Sequence, residues 1–250
     1  MENPLHDKRD ASSATSTRGR GRPISMSTRE AILDSAESLF AGHGYNGVSI
    51  SDITGHAGVQ KSLATHHFGS KEELFRAVLN RRAGAYVNDV QASLDQVMAA
   101  TAGAPARVDD LLRALATPIM SWLGRDAKSR AYVQLLAQIG AIPGQEALLV
   151  PYRERYTPVT RAYIEQLRRA VPTLSKDKLN WAFYFVEAAF VHIVTASCLL
   201  DRETRGLSSL SDHQTTIDRL VEFYTAGFLG TEAGCETPAK IGNETVYKKR

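Results

Sequence analysis

The chain has 250 residues, 43% of them hydrophobic and 23% charged, enough for a sizeable core and close to the size at which one domain divides into two. Its two cysteines, Cys198 and Cys235, accompany no CxxC or Cys/His cluster; this excludes a disulfide scaffold and a structural zinc site and makes a reducing cytoplasm the expected compartment. A net charge of +3 argues for no partner by itself, but Arg18, Arg20, Arg22 and Arg29 lie in a stretch without acids, a pattern with affinity for phosphate.

Residues 1–25 carry Ser, Thr, Gly and Arg with few large apolar groups, so the sequence predicts a disordered basic arm. RGRGRP within it suits a solubilising tail as well as a DNA contact, and nothing in the arm resembles the apolar segment of a secretory signal. A first helix is predicted from a capping box of Ser27 with Glu30, its inner face formed by Ile32, Ala36, Leu39 and Phe40. His43-Gly44 ends it, and a short helix capped by Ser49 with Asp52 near its positive end runs to Ala57. Gly58 breaks the chain, and Gln60 to His67 form a third helix before Gly69. Ser70 with Glu73 opens a fourth, on which Leu74, Phe75, Val78 and Leu79, then Tyr86, Val90, Leu94 and Val97, make one long apolar stripe ending before Gly103 and Pro105.

Further helices are predicted over 106–123, 126–140, 145–170, 175–200 and 212–229, with Pro118, Pro151 and Pro158 expected to kink or split them. The most apolar run, 182–200, is interrupted by Glu187 and His192 and reads as a buried helix, so no membrane partner is expected. No segment alternates like a strand. The predicted organisation is an arm (1–25), a three-helix domain (26–82), a larger helical domain (83–230) and a flexible tail (231–250).

Residues 49–68, SISDITGHAGVQKSLATHHF, have the form of a helix-turn-helix: a short helix, a tight turn at Gly58, the apolar Val59 as a lock, and a second helix able to enter a major groove. Over residues 32–79 the chain resembles the DNA-binding domain of the tetracycline-repressor (TetR) family, matching at Ala36, Leu39, Phe40, Gly44, Tyr45, Ser49, Ile53, Ala57-Gly58-Val59, His67-Phe68 and Lys71 to Leu74. The resemblance implies an all-α homodimer in which a long fourth helix joins the helix-turn-helix domain to a ligand-binding and dimerisation domain. It implies double-stranded operator DNA and a small-molecule effector as partners, with no cofactor, and carries little about the effector's identity. The aromatic residues of the second half suit an apolar effector, and the pattern over 131–172 with the WAFYFVEAAF run resembles regulators of fatty-acid catabolism, which implies an acyl-type one. Three positions depart from the family pattern. Gln60 stands where a small hydroxyl residue commonly caps, Leu63-Ala64 inverts the usual polar-apolar order, and Thr65 replaces a tyrosine; these bear on the operator sequence.

By side-chain chemistry, the Gln60 amide suits adenine, Lys61 suits guanine or phosphate, and Ser62, Thr65 and His66 are of groove-reading type. His67 suits DNA contact or inward packing beside Phe68. Ser49, Ser51 and Lys71 match positions near helix N-termini that favour a phosphate oxygen. The expected effector residues are Trp122, Tyr156, Trp181, Tyr184 and Phe185, with Glu187 and His192 as polar groups in a buried helix that need partners. Dimerisation is expected through the last two long helices, along a face of Ile217, Leu220, Val221, Tyr224 and Phe228. His66-His67 with Asp52 or His56 makes no metal-ligand spacing and GxSxG is absent, so catalysis is not expected. The reading is a dimeric, ligand-responsive repressor on a quasi-palindromic operator. Its alternatives are a helical ligand-binding dimer or adaptor without specific DNA affinity, and an activator of the same fold.

Overall fold

A computed structural model describes residues 24–140, 146–195 and 199–232, and within them every regular element is helical. Arg18, Arg20 and Arg22, both cysteines and the tail from 233 lie outside the described residues. The helices are α1 (Ile24–His43), α2 (Ile50–His56), α3 (Lys61–Phe68), α4 (Lys71–Thr101), α5 (Val108–Arg125), α6 (Ala127–Gly140), α7 (Val150–Ala170), α8 (Lys176–Thr195), α9 (Leu199–Glu203) and α10 (His213–Glu232). A 3-10 turn, Glu146–Leu149, leads into α7.

The helix ends follow local chemistry. Ser49 and Asp52 form a reciprocal capping box at α2, and Ser70 accepts the Glu73 amide at the start of α4. Gly58 at φ +66° makes the turn between α2 and α3 in a conformation that a side chain would strain, and the Val59 amide bonds back to the Thr54 carbonyl. One expectation fails. Helix α1 begins at Ile24, so Ser27 lies inside it, and the Glu30 carboxylate reaches Arg81 at 2.7 Å across the domain. Of the expected kinks or splits, no split occurs at Pro118 or Pro158: α5 and α7 each run on through their proline. Pro118 is buried on the inner face of α5, and in the same turn the Thr117 hydroxyl donates to the Arg113 carbonyl. Pro151 sits in the first turn of α7, where no helical amide bond is lost.

Two hydrophobic clusters divide the chain. The first gathers α1 to α3 and the start of α4, with Phe40, Tyr45 and Phe75 in edge and stacked contacts at 4.9–5.9 Å between ring centres. Burying each phenylalanine contributes about 1.5–3 kcal/mol. Leu135, Leu148 and Leu149 of the second half also pack into this cluster. The second cluster takes over at Tyr86 and fills the space between the rest of α4 and α5 to α8 and α10.

Helix α4 therefore belongs to both clusters, and α1 is docked on α6 as well. Polar groups join them. Glu37 is buried and pairs with Arg82, Arg81 reaches Asp34 at 2.6 Å, and Lys128 at the start of α6 reaches Asp34 at 3.3 Å. Burial of a carboxylate such as Glu37 is tolerated because guanidinium groups satisfy it. The Gln138 amide adds a bond to the Ala41 carbonyl. Helix α6 is thus in contact with α1 as well as with α4.

Candidate functional site

Helix α3 has one face in the first cluster and one in water. Ala64 and Phe68 are buried, and Gln60, Lys61, Ser62, Thr65 and His66 are exposed, so the polar residues share a single outward face. Gln60 occupies the N-cap position without using its side chain to cap, which leaves the amide free to bond elsewhere. No acid stands in the first turn of α3. His67 is partly covered, its ring 5.4 Å from His66 and 6.2 Å from Phe68, so it rests between the outer face and the core.

The flanking residues are placed less simply. Ser51 is exposed on α2. The Ser49 hydroxyl donates to the Asp52 carboxylate at 2.7 Å and accepts the Asp52 amide, so it is already committed to the cap and sits beside a negative charge. Those same bonds hold the Asp52 carboxyl below the ordinary range. The Lys71 ammonium lies 4.3 Å from the centre of the Tyr45 ring, a cation–π contact that fixes it at the head of α4. Partial burial lowers its pKa, against the opposing pull of Asp52. Tyr45 and Arg29, whose guanidinium stands 5.1 Å from the Phe68 ring, also support this surface, and the sequence separation of each pair conceals that role.

A second feature is a cavity of about 650 Å³, open to solvent on one side and lined by α4 to α8. Of the expected effector residues, Tyr156, Tyr184 and Glu187 line it. Trp122 does not: it is packed against Tyr86 and Tyr132, and its indole N–H donates to Asp89 at 2.7 Å, which makes it core. Trp181 and Phe185 lie on another face, and His192 is exposed and lines neither space. Tyr86, Tyr152, Arg153, Thr157 and Thr160 line the cavity as well. Tyr152, Tyr156 and Thr160 recur every four residues along α7, a spacing that marks a common face. Burial raises the Glu187 carboxyl above its ordinary range, with Arg153 acting in the opposite sense.

The third feature is an uncovered apolar groove between α8 and α10, formed by Trp181, Phe185, Phe223 and Tyr224. Phe223 is 72% and Trp181 55% exposed. The expected dimer face needs correction here, because Ile217, Leu220, Val221 and Phe228 are at most 6% exposed and belong to the chain's own core. They pack inward, chiefly against α5; Phe228, though buried, also lines the groove, and Tyr224 is partly buried at its rim. Helix α10 carries apolar residues on two faces, and the longer stripe is the inner one.

A sequence profile described as "Bacterial regulatory proteins, tetR family" matches residues 32–78, and one described as "Tetracyclin repressor-like, C-terminal domain" matches residues 113–227. The chain belongs to the tetracycline-repressor family. The transcriptional repressor AcnR of Corynebacterium efficiens is 33% identical over 85 residues, covering 34% of this chain and 45% of that protein. The repressor ComR of Escherichia coli is 38% identical over 77 residues, covering 31% and 36%. The chain thus matches less than half the length of these curated relatives. The structure of the fatty acid degradation regulator FadR from Bacillus halodurans superposes with a TM-score of 0.57 at 17% identity over 79% of this chain and 98% of that one, a likeness of fold. No helix among the described residues is long and apolar enough to cross a membrane, and no group of three or more His, Cys, Asp or Glu there is placed to hold a metal ion.

Proposed function

We propose that this TetR-family chain is a DNA-binding transcriptional regulator of the cytoplasm that acts as a dimer and is released from its operator by a small molecule. The observation that carries the reading is the outward face of α3, where Gln60, Lys61, Ser62, Thr65 and His66 stand together in solvent on a helix locked by Gly58 and Phe68. A major groove admits one helix, and amide, ammonium and hydroxyl groups there bond to base edges. Ser51 and Lys71 flank that face toward the phosphates, and Arg18, Arg20 and Arg22 of the arm precede α1 closely enough to follow the backbone.

The groove between α8 and α10 supports dimerisation, because rings as exposed as Phe223 and Trp181 in one patch are a partner surface rather than a solvent surface. The cavity beneath α7 and α8 is the effector site in this reading. Its occupant moves α6 or α7, and α4 and the α1–α6 contact carry the shift to α3. Roughly hundredfold release requires that the effector favour the non-binding conformer by about 2.7 kcal/mol.

A fluorescence-anisotropy titration with the DNA upstream of the coding sequence tests the proposal. Saturable binding that falls steeply with salt and is competed by the unlabelled site, but not by scrambled DNA, is the expected result. Equal affinity for both sequences overturns it.

A further inference from the structure

The effector cavity carries an electrostatic signature. Glu187 projects from α8 into the cavity wall and is half-buried, and among the described residues its carboxylate forms neither a hydrogen bond nor an ion pair. Facing it are tyrosines. Tyr152 and Tyr156 are stacked with ring centres 5.3 Å apart and planes 17° from parallel, and Tyr86 follows in the same row, 6.4 Å from Tyr156 and 22° off. The charge of Glu187 pushes the hydroxyl pKa values of both Tyr152 and Tyr156 further in the direction in which burial already raises them, so carboxylate and rings face one space.

A carboxylate removed from water needs a counter-charge or hydrogen bonds, and among the described residues this one has no hydrogen bond or close ion pair, only the longer-range pull of Arg153. Arg153 is the one cation among the described residues that line the cavity; it is exposed and forms no ion pair with any of them. Two opposite ligand charges are therefore conceivable, and solvent decides between them. Water screens Arg153, whereas the half-buried Glu187 acts through protein of lower polarity. Glu187 is therefore the charge that dominates inside.

On the reading that this cavity is the effector site, we infer that its ligand carries a positively charged nitrogen, a quaternary ammonium or protonated amine, seated between Glu187 and the Tyr152–Tyr156 stack, with an apolar body extending along the aliphatic wall. Ile119, Val133, Leu136 and Val194 form that wall. A fatty acid or other anionic amphiphile would place its own carboxylate against Glu187 or turn its head out to Arg153.

Calorimetric titration of the full chain with three probes of equal chain length, decyltrimethylammonium, 1-decanol and decanoate, separates these cases. The ammonium should bind about tenfold or more tighter than decanoate, a difference of about 1.4 kcal/mol. Glu187→Gln should remove that preference and weaken the ammonium by about tenfold while changing decanol by less than about twofold. Thr160→Trp, which fills the cavity, should abolish all three. Decanoate binding as tightly as the ammonium, an unchanged ammonium affinity in Glu187→Gln, or no ammonium binding at millimolar concentration each overturns the cationic assignment. If decanol or decanoate still binds and Thr160→Trp blocks it, the cavity stands as the effector site and only the charge assignment falls. Binding of any probe untouched by Thr160→Trp removes the cavity itself.

Discussion

The two hydrophobic clusters differ in how tightly their polar groups are tied. In the first, each short helix is held by a specific device: the Ser49–Asp52 box, the Gly58 turn, the Phe40–Tyr45–Phe75 contacts and Glu37 closed by Arg82. The second is larger yet leaves an open cavity of about 650 Å³ at its side, with Glu187 on the wall and without a hydrogen bond or close ion pair among the described residues. Close packing throughout is the ordinary state of a protein interior. The region that departs from it is the one where the effector is proposed to sit, and the one that keeps to it carries the proposed DNA-reading helix.

The largest effect that sharpens this contrast lies in the rigid half. Phe75→Ala empties the centre of the aromatic contacts and should lower stability by about 3–5 kcal/mol in denaturant unfolding. Val191→Ala in the cavity wall should fall well below that, because its neighbours already border empty space. Equal losses at the two sites would erase the distinction.

The next effect divides the two faces of α10. Phe223→Glu with Trp181→Glu should give well-folded monomers by analytical ultracentrifugation, and those monomers should lose specific DNA binding. Leu220→Glu with Val221→Glu should instead unfold the chain, since both residues belong to its core. At the recognition surface, Gln60→Ala or Lys61→Ala should cost about 1–3 kcal/mol on the preferred DNA site and change base preference, each measured against a panel of single-base variants. Lys71→Ala should weaken binding to all sequences alike and make the salt dependence shallower, by about one in slope for each phosphate no longer neutralised.

The helices of the first half are legible because each start and stop is encoded within a few residues, and the resemblance over 32–79 rests on those same local signals. The inner side of α3 is legible too, since Ala64 and Phe68 alternate with polar residues at helical spacing. The second half is legible as helices but not as surfaces. An apolar stripe on α10 reports burial without saying against what, so the inward face of Leu220 and Val221 reads in sequence like the exposed face to which Phe223 belongs. Trp122 misleads for the same reason: nothing local to it reveals Asp89, 33 residues earlier, as the acceptor of its N–H. Pairings such as Glu30 with Arg81 and Lys128 with Asp34 join distant segments and leave no periodic trace.

The smallest predicted effect concerns acid. Burial alone would raise the Asp34 carboxyl, and the bonds from Arg81 and Lys128 outweigh it, leaving the pKa below the ordinary value. A depressed carboxylate pKa contributes stability that is present above the unfolded pKa, about 4, and is lost as pH falls through the folded value. Asp34→Asn should therefore flatten the decline of thermal stability below about pH 4 while leaving neutral-pH stability little changed, given how exposed the pair is.

Hydroxyl-radical footprinting on a sequence selected from a random pool tests most directly whether the outward face of α3 reads DNA from a dimer. Two half-sites about one helical turn apart should be protected. That protection should vanish in Gln60→Ala with Lys61→Ala while the variant remains a dimer. Protection that persists in this variant, or a single unpaired protected segment, would contradict that role of α3.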